Sequence, residues 1–452
     1  MENSPQERTR ARERNPWWWV PSLYFAEGIP YVVVMTVSVV MYKRLGISNT
    51  DIALYTSWLY LPWVIKPLWS PVVEMFRTKR AWIVVMQLVL GIALAGVAFT
   101  LPTTSFFQLS LAVFWLMAFA SATHDIAADG FYMLALPEHQ QAAFVGVRSM
   151  FYRMAMITGQ GLLVVLAGNL EQYGFFSVEP GNIPMAWSIT FALLSVLFLA
   201  FFLYHQFIIP YPRADRPSPP PARPGGGPDG SPFKARIKEF FEIFILFFKK
   251  ERIGATLAFL LLYRFAEAQL VKLVSPFLLD SRTVGGLGLS TAEVGLVYGI
   301  VGVIALTVGG LLGGYVVSRH GLRAWLWPMV VIIHFPDLAF VFLSQVLPSN
   351  FLVISAAVAT EQFGYGFGFT AYMMYMILVA EGAHKTAHYA ICTGFMALGM
   401  MLPGLFAGAL QEAIGYQHFF LWVILSTVPG FLVASLVRIP PGFGKKTEQQ
   451  NA

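Results

Sequence analysis

The chain has 452 residues, 57% of them hydrophobic and only 12% charged, with a mean hydropathy of +0.63. That balance excludes an ordinary soluble domain and predicts an all-α polytopic membrane protein. A single Cys392 excludes an internal disulfide framework and a cysteine metal cluster. The net charge of +6 gathers in loops and forms no basic stripe for nucleic acid.

Residues 1–16 are polar and carry Arg8, Arg10, Arg12 and Arg14, and no small-residue cleavage site follows them. They read as a cytoplasmic tail before a retained first span. Hydropathy then predicts about twelve spans. Six lie at roughly 17–42, 52–75, 82–101, 108–136, 142–167 and 185–208. Six more lie at roughly 253–279, 291–318, 325–346, 351–380, 386–410 and 416–437. Between the groups, IPYPRADRPSPPPARPGGGPDGSP is too rich in Pro and Gly to pack as a helix. The following stretch places Phe233, Ile237, Phe240, Phe241, Phe244 and Phe248 near one face, with basic residues at both ends, as an interfacial helix would. The expected layout is a tail (1–16), an N-terminal six-helix half (17–208), a cytoplasmic linker with an amphipathic helix (209–251), a C-terminal six-helix half (252–438) and a tail (439–452).

Charge sets the expected orientation. Lys and Arg cluster in the N-tail, after span 2, in the linker, after span 8 and in the C-tail, while loops 102–107, 168–184 and 347–350 carry none. Both termini and the linker are therefore expected inside, with Lys43, Arg44 and Arg282 as exceptions. Two halves around a long inner linker are the pattern of a transporter.

The ionisable groups within the spans carry the chemistry. Asp125 and Asp129 lie four apart in an apolar fourth span, next to His124, and so share one helical face. Each costs about 2.5–3.5 kcal/mol at a span centre on insertion scales, which demands a polar surrounding or a partner charge. Arg148 and Arg153 of span 5 are the expected partners, and a static ion-pair lock between spans 4 and 5 is the alternative to proton exchange. Glu27 stands in span 1 beside Gly28 and Pro30, which loosen that helix, with Lys66 as a candidate partner. Arg264 and Glu267 are three apart in span 7 and can satisfy each other, with Lys272 further along. Glu361 precedes the alternating Gly364, Gly366 and Gly368 of span 10, a mechanical feature with no strand before it and no Lys after it to make a phosphate loop. Asp337 follows Pro336 as a kink-associated polar group of open role, and His334 and His388 read as packing residues. No metal-ligand spacing, nucleophile elbow or cofactor motif occurs, so no metal, no cofactor and no enzymatic activity are expected.

Two loops match each other. After span 2 the chain reads Ser70-Pro-Val-Val-Glu74-Met-Phe-Arg77-Thr-Lys79-Arg80, and after span 8 Gly314-Tyr-Val-Val-Ser318-Arg319-His320-Gly321-Leu322-Arg323. A small residue, an acid and a basic cluster resemble the loop motif of the major facilitator superfamily; a plain positive-inside loop is the simpler reading. Further segments resemble AmpG-type permeases: Trp69-Ser70-Pro71, Ser121 to Asp129 ending in Leu136-Pro137, Tyr152-Arg153, Leu262-Tyr263-Arg264 with Glu267, Ala292-Glu293-Val294-Gly295, and Glu361.

That resemblance implies a major facilitator fold in the bacterial inner membrane and import of anhydro-muropeptides, or related amino-sugar anions, with protons. On this expectation Asp125, Asp129, Glu27, Glu267 and Glu361 serve coupling or gating. Arg148, Arg153, Arg264 and Lys272 bind the substrate anion. Glu74, Arg77, Arg80, Gly314, Arg319 and Arg323 form the conformational loop motif. The expected partners are a small molecule, protons and the bilayer, with the chain a monomer. Acetyl-coenzyme A, a siderophore or another amphipathic anion is the alternative cargo, and a non-transporting sensor on a transporter scaffold the alternative class.

Overall fold

The computed structural model describes residues 14–174, 178–212, 215, 241–382 and 384–446, and every regular element among them is helical. Among the described residues, nine stretches are long and apolar enough to cross a membrane. The last of these reverses at Gly415, where φ is 74°, and two further spans are each broken into shorter helices, which accounts for the twelve expected. They are α1 (Pro16–Arg44), α2 (49–76), α3 (Lys79–Thr100), α4 (Phe106–Ala135), α5 (His139–Tyr173), α6 (Ile183–Ile208), α7 (253–279), α8 (Thr291–His320), α9 (Leu322–Val346), α10 (Phe351–Ala380), α11 (385–414) and α12 (416–436). The break in α2 precedes Lys66, close to Pro62 and Pro67, and the break in α7 falls at Tyr263-Arg264. Proline removes a ladder donor in the first case. In the second, Arg264 adopts a non-helical φ/ψ of −109°/23°.

Side chains fix the helix starts. Thr78 accepts from Ala81 N to begin α3, and Ser290 and Glu293 form a reciprocal capping box at the start of α8. Of the expected interfacial helix, Phe233, Ile237 and Phe240 lie outside the described residues. Its described part, 241–248, buries Phe247 against His388 and Phe395 and leaves Phe241 and Phe248 exposed.

Contacts divide the chain into two compact units that cut across the sequence halves. Within the described residues, unit 1 holds α1 up to Val34, α2 from Ile65, α3, α4, α5 up to Met156 and α6 from Trp187. Its core packs Trp19, Leu23, Phe131, Tyr132, Phe144 and Ile209. Unit 2 holds α7–α12 together with the remaining parts of α1, α2, α5 and α6. The chain crosses from one unit to the other within or beside π-helical turns at Val33–Val37 of α1 and Ile157–Leu163 of α5. Such turns interrupt the regular ladder and are frequent at functional sites.

Glycines explain why unit 2 gathers segments of both halves. A Cβ on Gly408 would meet Asn49 O at 2.0 Å, one on Gly299 would meet Gln160 O at 2.0 Å, and one on Gly168 would meet Ala292 N at 2.3 Å. Only a missing side chain lets these backbones approach so closely. The cations that violated the charge rule are all satisfied within this unit. Lys43 pairs with Asp280 at 2.7 Å and Arg44 with Glu171 at 2.9 Å, while Arg282 donates to the carbonyls of Leu347 and Pro348.

The alternating glycines of α10 serve two neighbours. Gly364 and Gly368, one turn apart, face α9, where an added Cβ would lie 2.4 Å from Ile332 O and 2.4 Å from Ile333 Cβ respectively. Gly366 turns to α8, 2.0 Å from Leu306 O, and Gly309 and Gly313 of α8 face back onto α10.

Candidate functional site

Unit 1 gathers a charge cluster from four helices. Lys66 of α2 forms an ion pair and hydrogen bond with Asp125 Oδ2. Arg148 of α5 donates to Asp129 Oδ1 at 2.9 Å, and Tyr24 of α1 donates to the same oxygen at 3.1 Å. The Arg148 guanidinium lies 4.5 Å over the Tyr24 ring, a cation–π contact that holds it in place. Glu27 of α1 comes within hydrogen-bonding reach of Asp125. Acid oxygens of Glu27, Asp125 and Asp129 all lie within 4.8 Å of one another.

Exposure separates these groups. Glu27 is buried and its Oε2 has no hydrogen-bond partner, whereas the side chains of Asp125 and Asp129 are 24% and 40% exposed. Three carboxyl groups face two cations, so the cluster holds one acid in excess. A hydrogen bond between two carboxyl groups requires one proton, and Glu27 with Asp125 supplies that geometry.

Two expected partnerships are corrected. Lys66 goes to Asp125, where Glu27 had been its candidate. Arg153 does not join the aspartates: its Nη1 donates to Met156 Sδ at 3.6 Å. Five residues beyond Arg148, it stands about 140° around the helix from it.

A second polar chain lies beside the cluster. Ser22 Oγ meets His205 Nε2 at 2.9 Å, His205 Nδ1 meets Gln87 Oε1 at 2.9 Å, and Gln87 Nε2 meets His124 Nε2 at 3.0 Å. The Gln87 amide reads the tautomers: its oxygen accepts, so His205 carries the proton on Nδ1, and its NH2 donates to a bare His124 Nε2. Gln87 and His205 were missed by sequence reasoning, because a buried Gln and His on separate spans carry no spacing signal.

In unit 2 the expected residues occupy separate niches. Arg264 donates to Tyr365 OH and lies 4.7 Å over the Phe369 ring, so it does not close an ion pair with Glu267. Lys272, 3% exposed, donates to Thr56 Oγ1 at 3.0 Å and sits 5.1 Å over the Tyr60 ring. Glu267, Asp337 and Glu361, from α7, α9 and α10, are all buried with oxygens within 4.8 Å of one another. The expectation of no metal-ligating cluster is corrected to this extent: the fold assembles two carboxylate triads from separate helices, which no linear spacing reveals.

The loop motif residues also resolve. Arg80 is buried, donates to the carbonyls of Ile209 and Gln206, and lies 3.8 Å over Tyr211. Asp215, not foreseen, accepts from Lys79 N at 2.7 Å and Arg80 N at 2.9 Å and so caps α3. Arg77 is exposed, and the Glu74 side chain lies outside those described. Arg319 lies over Tyr315 of its own helix at 5.2 Å, and Arg323 is exposed. Gly314, expected to permit close helix approach, faces open space. Gly313 is the close-packed residue, with Phe367 O 2.8 Å from a built Cβ. One position along a helix turns the side chain by about 100°, which decides the neighbour.

Twelve apolar helices with their ionisable groups paired or clustered on helices packed together describe a multi-pass membrane transporter scaffold. The chain belongs to the Major Facilitator Superfamily, whose family model matches residues 22–277. It is similar to the anhydromuropeptide permease of Escherichia coli (strain K12), 25% identical over 425 residues that cover 92% of this chain and 78% of that one. An AmpG-named transporter of Rickettsia conorii is 24% identical, covering 91% of this chain and 94% of that one. Among solved structures, a D-xylose-proton symporter matches with a TM-score of 0.66 at 14% identity, covering 95% of this chain and 99% of that one. The nucleoside transporter NupG matches at 0.64 and 14%, covering 93% and 98%. These likenesses to solved structures speak for the fold alone.

Proposed function

We propose that this protein is a secondary active transporter of the inner membrane that imports anhydro-muropeptides or related amino-sugar anions together with protons, by alternating access. The basic loops support cytoplasmic termini on this reading. The observation that carries it is the unit 1 cluster, with three acids converging against two cations. The permease relatives support the cargo class.

The charge count suggests how proton and anion are coupled. With one proton between Glu27 and Asp125, two negative charges balance Lys66 and Arg148. A second proton, on Asp129, leaves Arg148 without its carboxylate and available to an anionic cargo. Loss of that proton restores the Arg148–Asp129 pair and expels the anion. Arg264 and Lys272, each buried beside aromatic rings, are further candidates for binding the lactyl or peptide carboxylate while rings stack on sugar faces. The loop motif and the remaining acids serve conformational change in this scheme.

The test is uptake of labelled anhydro-muropeptide into proteoliposomes under an imposed pH gradient. Asp125→Asn with Asp129→Asn should abolish gradient-driven accumulation while exchange of labelled for unlabelled cargo persists. Unchanged accumulation in that double variant removes the proton role.

A further inference from the structure

We propose that Glu267, Asp337 and Glu361 form a binding site for one hard, oxygen-ligated metal cation. The three side chains come from α7, from the 3-10 turn Phe335–Asp337 within α9, and from α10, and none is more than 1% exposed. Both oxygens of Glu267, both of Asp337 and Oε1 of Glu361 have no hydrogen-bond partner. Only Glu361 Oε2 is engaged, accepting from Gln362 Nε2 at 2.9 Å.

The side chains nonetheless converge. Oxygens from all three lie within 4.8 Å of one another. That upper limit is about twice a Ca²⁺–oxygen distance of roughly 2.3–2.6 Å, so a single ion can reach all three. Among the described residues no Lys, Arg or His comes within 4.0 Å of these oxygens. Arg264, three residues before Glu267, is committed to the Tyr365 hydroxyl and the Phe369 ring.

Counter-charge separates this site from the first triad. Lys66 and Arg148 meet the acids there, whereas five of the six oxygens here receive no hydrogen bond from any donor among the described residues. Buried oxygens that converge with no donor and no cation beside them offer an ion its ligands. Carboxylate oxygen favours hard cations and disfavours the soft metals that thiolates select. Close packing holds the ligands: Gly364 lets α10 meet α9 at Pro336, and Gly302 of α8 backs Gln362.

As a binding site this proposal stands apart from the cargo; as a second coupling site it rests on the transport reading above. The experiment therefore uses no cargo and no gradient. Purified full-length protein in detergent is stripped with a chelator and dialysed into choline chloride. Its thermal unfolding is followed while CaCl2, MgCl2 or NaCl is added at constant ionic strength, with KCl as control. A ligand that binds only the folded state raises Tm with the logarithm of its concentration above Kd, by about 2–4 °C at large excess over Kd. We expect such a shift with at least one of the three cations and none with K⁺. Whichever of Ca²⁺, Mg²⁺ or Na⁺ acts identifies the physiological class.

Asp337→Asn and Glu267→Gln should abolish the shift, and Glu27→Gln, in the other triad, should leave it intact. Should those variants fail to fold, Glu361→Asp retains the charge and should weaken the response by tenfold or more in concentration. Direct binding of radiolabelled cation to the wild type at one ion per chain gives a measure that needs no variant. Absence of any cation-specific response in the wild type overturns the proposal. So does a response that survives Asp337→Asn and Glu267→Gln, or a Tm that responds to pH alone. Loss of uptake with retained cation binding would count against the transport reading and leave this site standing.

Discussion

The two carboxylate triads are built from the same number of acids and differ in almost everything around them. Glu27, Asp125 and Asp129 of unit 1 are met by Lys66 and Arg148, and the aspartates and both cations are partly open to solvent. Glu267, Asp337 and Glu361 of unit 2 are sealed, and the unit's buried cations are turned away, Arg264 to aromatic rings and Lys272 to Thr56 and Tyr60. A cluster with fixed internal counter-charges can rearrange by moving protons. One without them is neutralised by protons or, on the proposal above, by a cation from outside the chain. The contrast lies in which helices bring a cation to the acids, not in the acids themselves.

The comparison breaks most sharply at Lys66. Lys66→Met leaves Asp125 and Glu27 adjacent with no nearby ammonium. Removing one partner of a fully buried pair costs about 3–5 kcal/mol. The Lys66 and Asp125 side chains are 21% and 24% exposed, which screens the loss to about 1–2 kcal/mol. Gradient-driven uptake should fall at least about tenfold, since a 1.4 kcal/mol bias is a factor of ten. Adding Asp125→Asn should restore thermal stability without restoring uptake. Wild-type stability in the single variant would show that the ion pair is not formed. An equivalent loss from Lys272→Met would erase the distinction between the two triads.

Much of this organisation is legible in the sequence, and the limits are physical. Hydropathy finds the twelve spans because lipid imposes a length of apolar residues. Asp125 and Asp129 stand out because a charge in such a run is costly, and the pairing of Asp129 with Arg148 follows from neighbouring helices. Periodicity, however, reports which residues share a face and not which helix that face meets. Lys66 lies 59 positions from Asp125, and Asp337 carried no assigned role until α9 was placed against α10. The same blindness exchanged Gly313 for Gly314 and hid Asp215 as the cap of α3. The broken α2 and α7 keep enough hydropathy to read as continuous spans, although Pro62 and Pro67 were visible.

A geometric route to the second triad is to widen it. Gly364→Ala would bring a Cβ to 2.4 Å from Ile332 O and 2.6 Å from Pro336 Cγ, against backbone and a rigid ring. Overpacking of this kind costs about 1–3 kcal/mol. Because Gly364 is three residues from Glu361 and contacts the residue before Asp337, the displacement should spread the carboxylates as well. Thermal unfolding should show the stability loss, and the cation-dependent Tm shift should shrink with it. Uptake driven by protons through the first triad should suffer less. A variant with wild-type Tm would mean that α9 and α10 do not pack as closely as described.

The smallest expected effect on uptake tests whether the first triad is held in place by its polar neighbours. Gln87 bridges His205 and His124, and His124 precedes Asp125 on α4. Gln87→Leu keeps the bulk and removes both contacts, leaving His205 Nδ1–H and His124 Nε2 buried without partners. Each orphaned group costs about 1–3 kcal/mol, but the rings can relax and Ser22 still meets His205, so a net loss of about 1–2 kcal/mol is expected. The freed rings can then exchange tautomers, which ¹⁵N shifts of labelled histidine would report as a change from one Nδ1–H form to a mixture. Uptake should fall by less than in Lys66→Met, because the ion pairs themselves are untouched. Gln87→Glu sharpens the test: a carboxylate can accept from His205 but cannot donate to an unprotonated His124, so one contact must fail or one ring must take a proton. If Gln87→Leu leaves both stability and the histidine spectrum unchanged, the chain from Ser22 to His124 is packing alone, and the first triad is positioned by its cations.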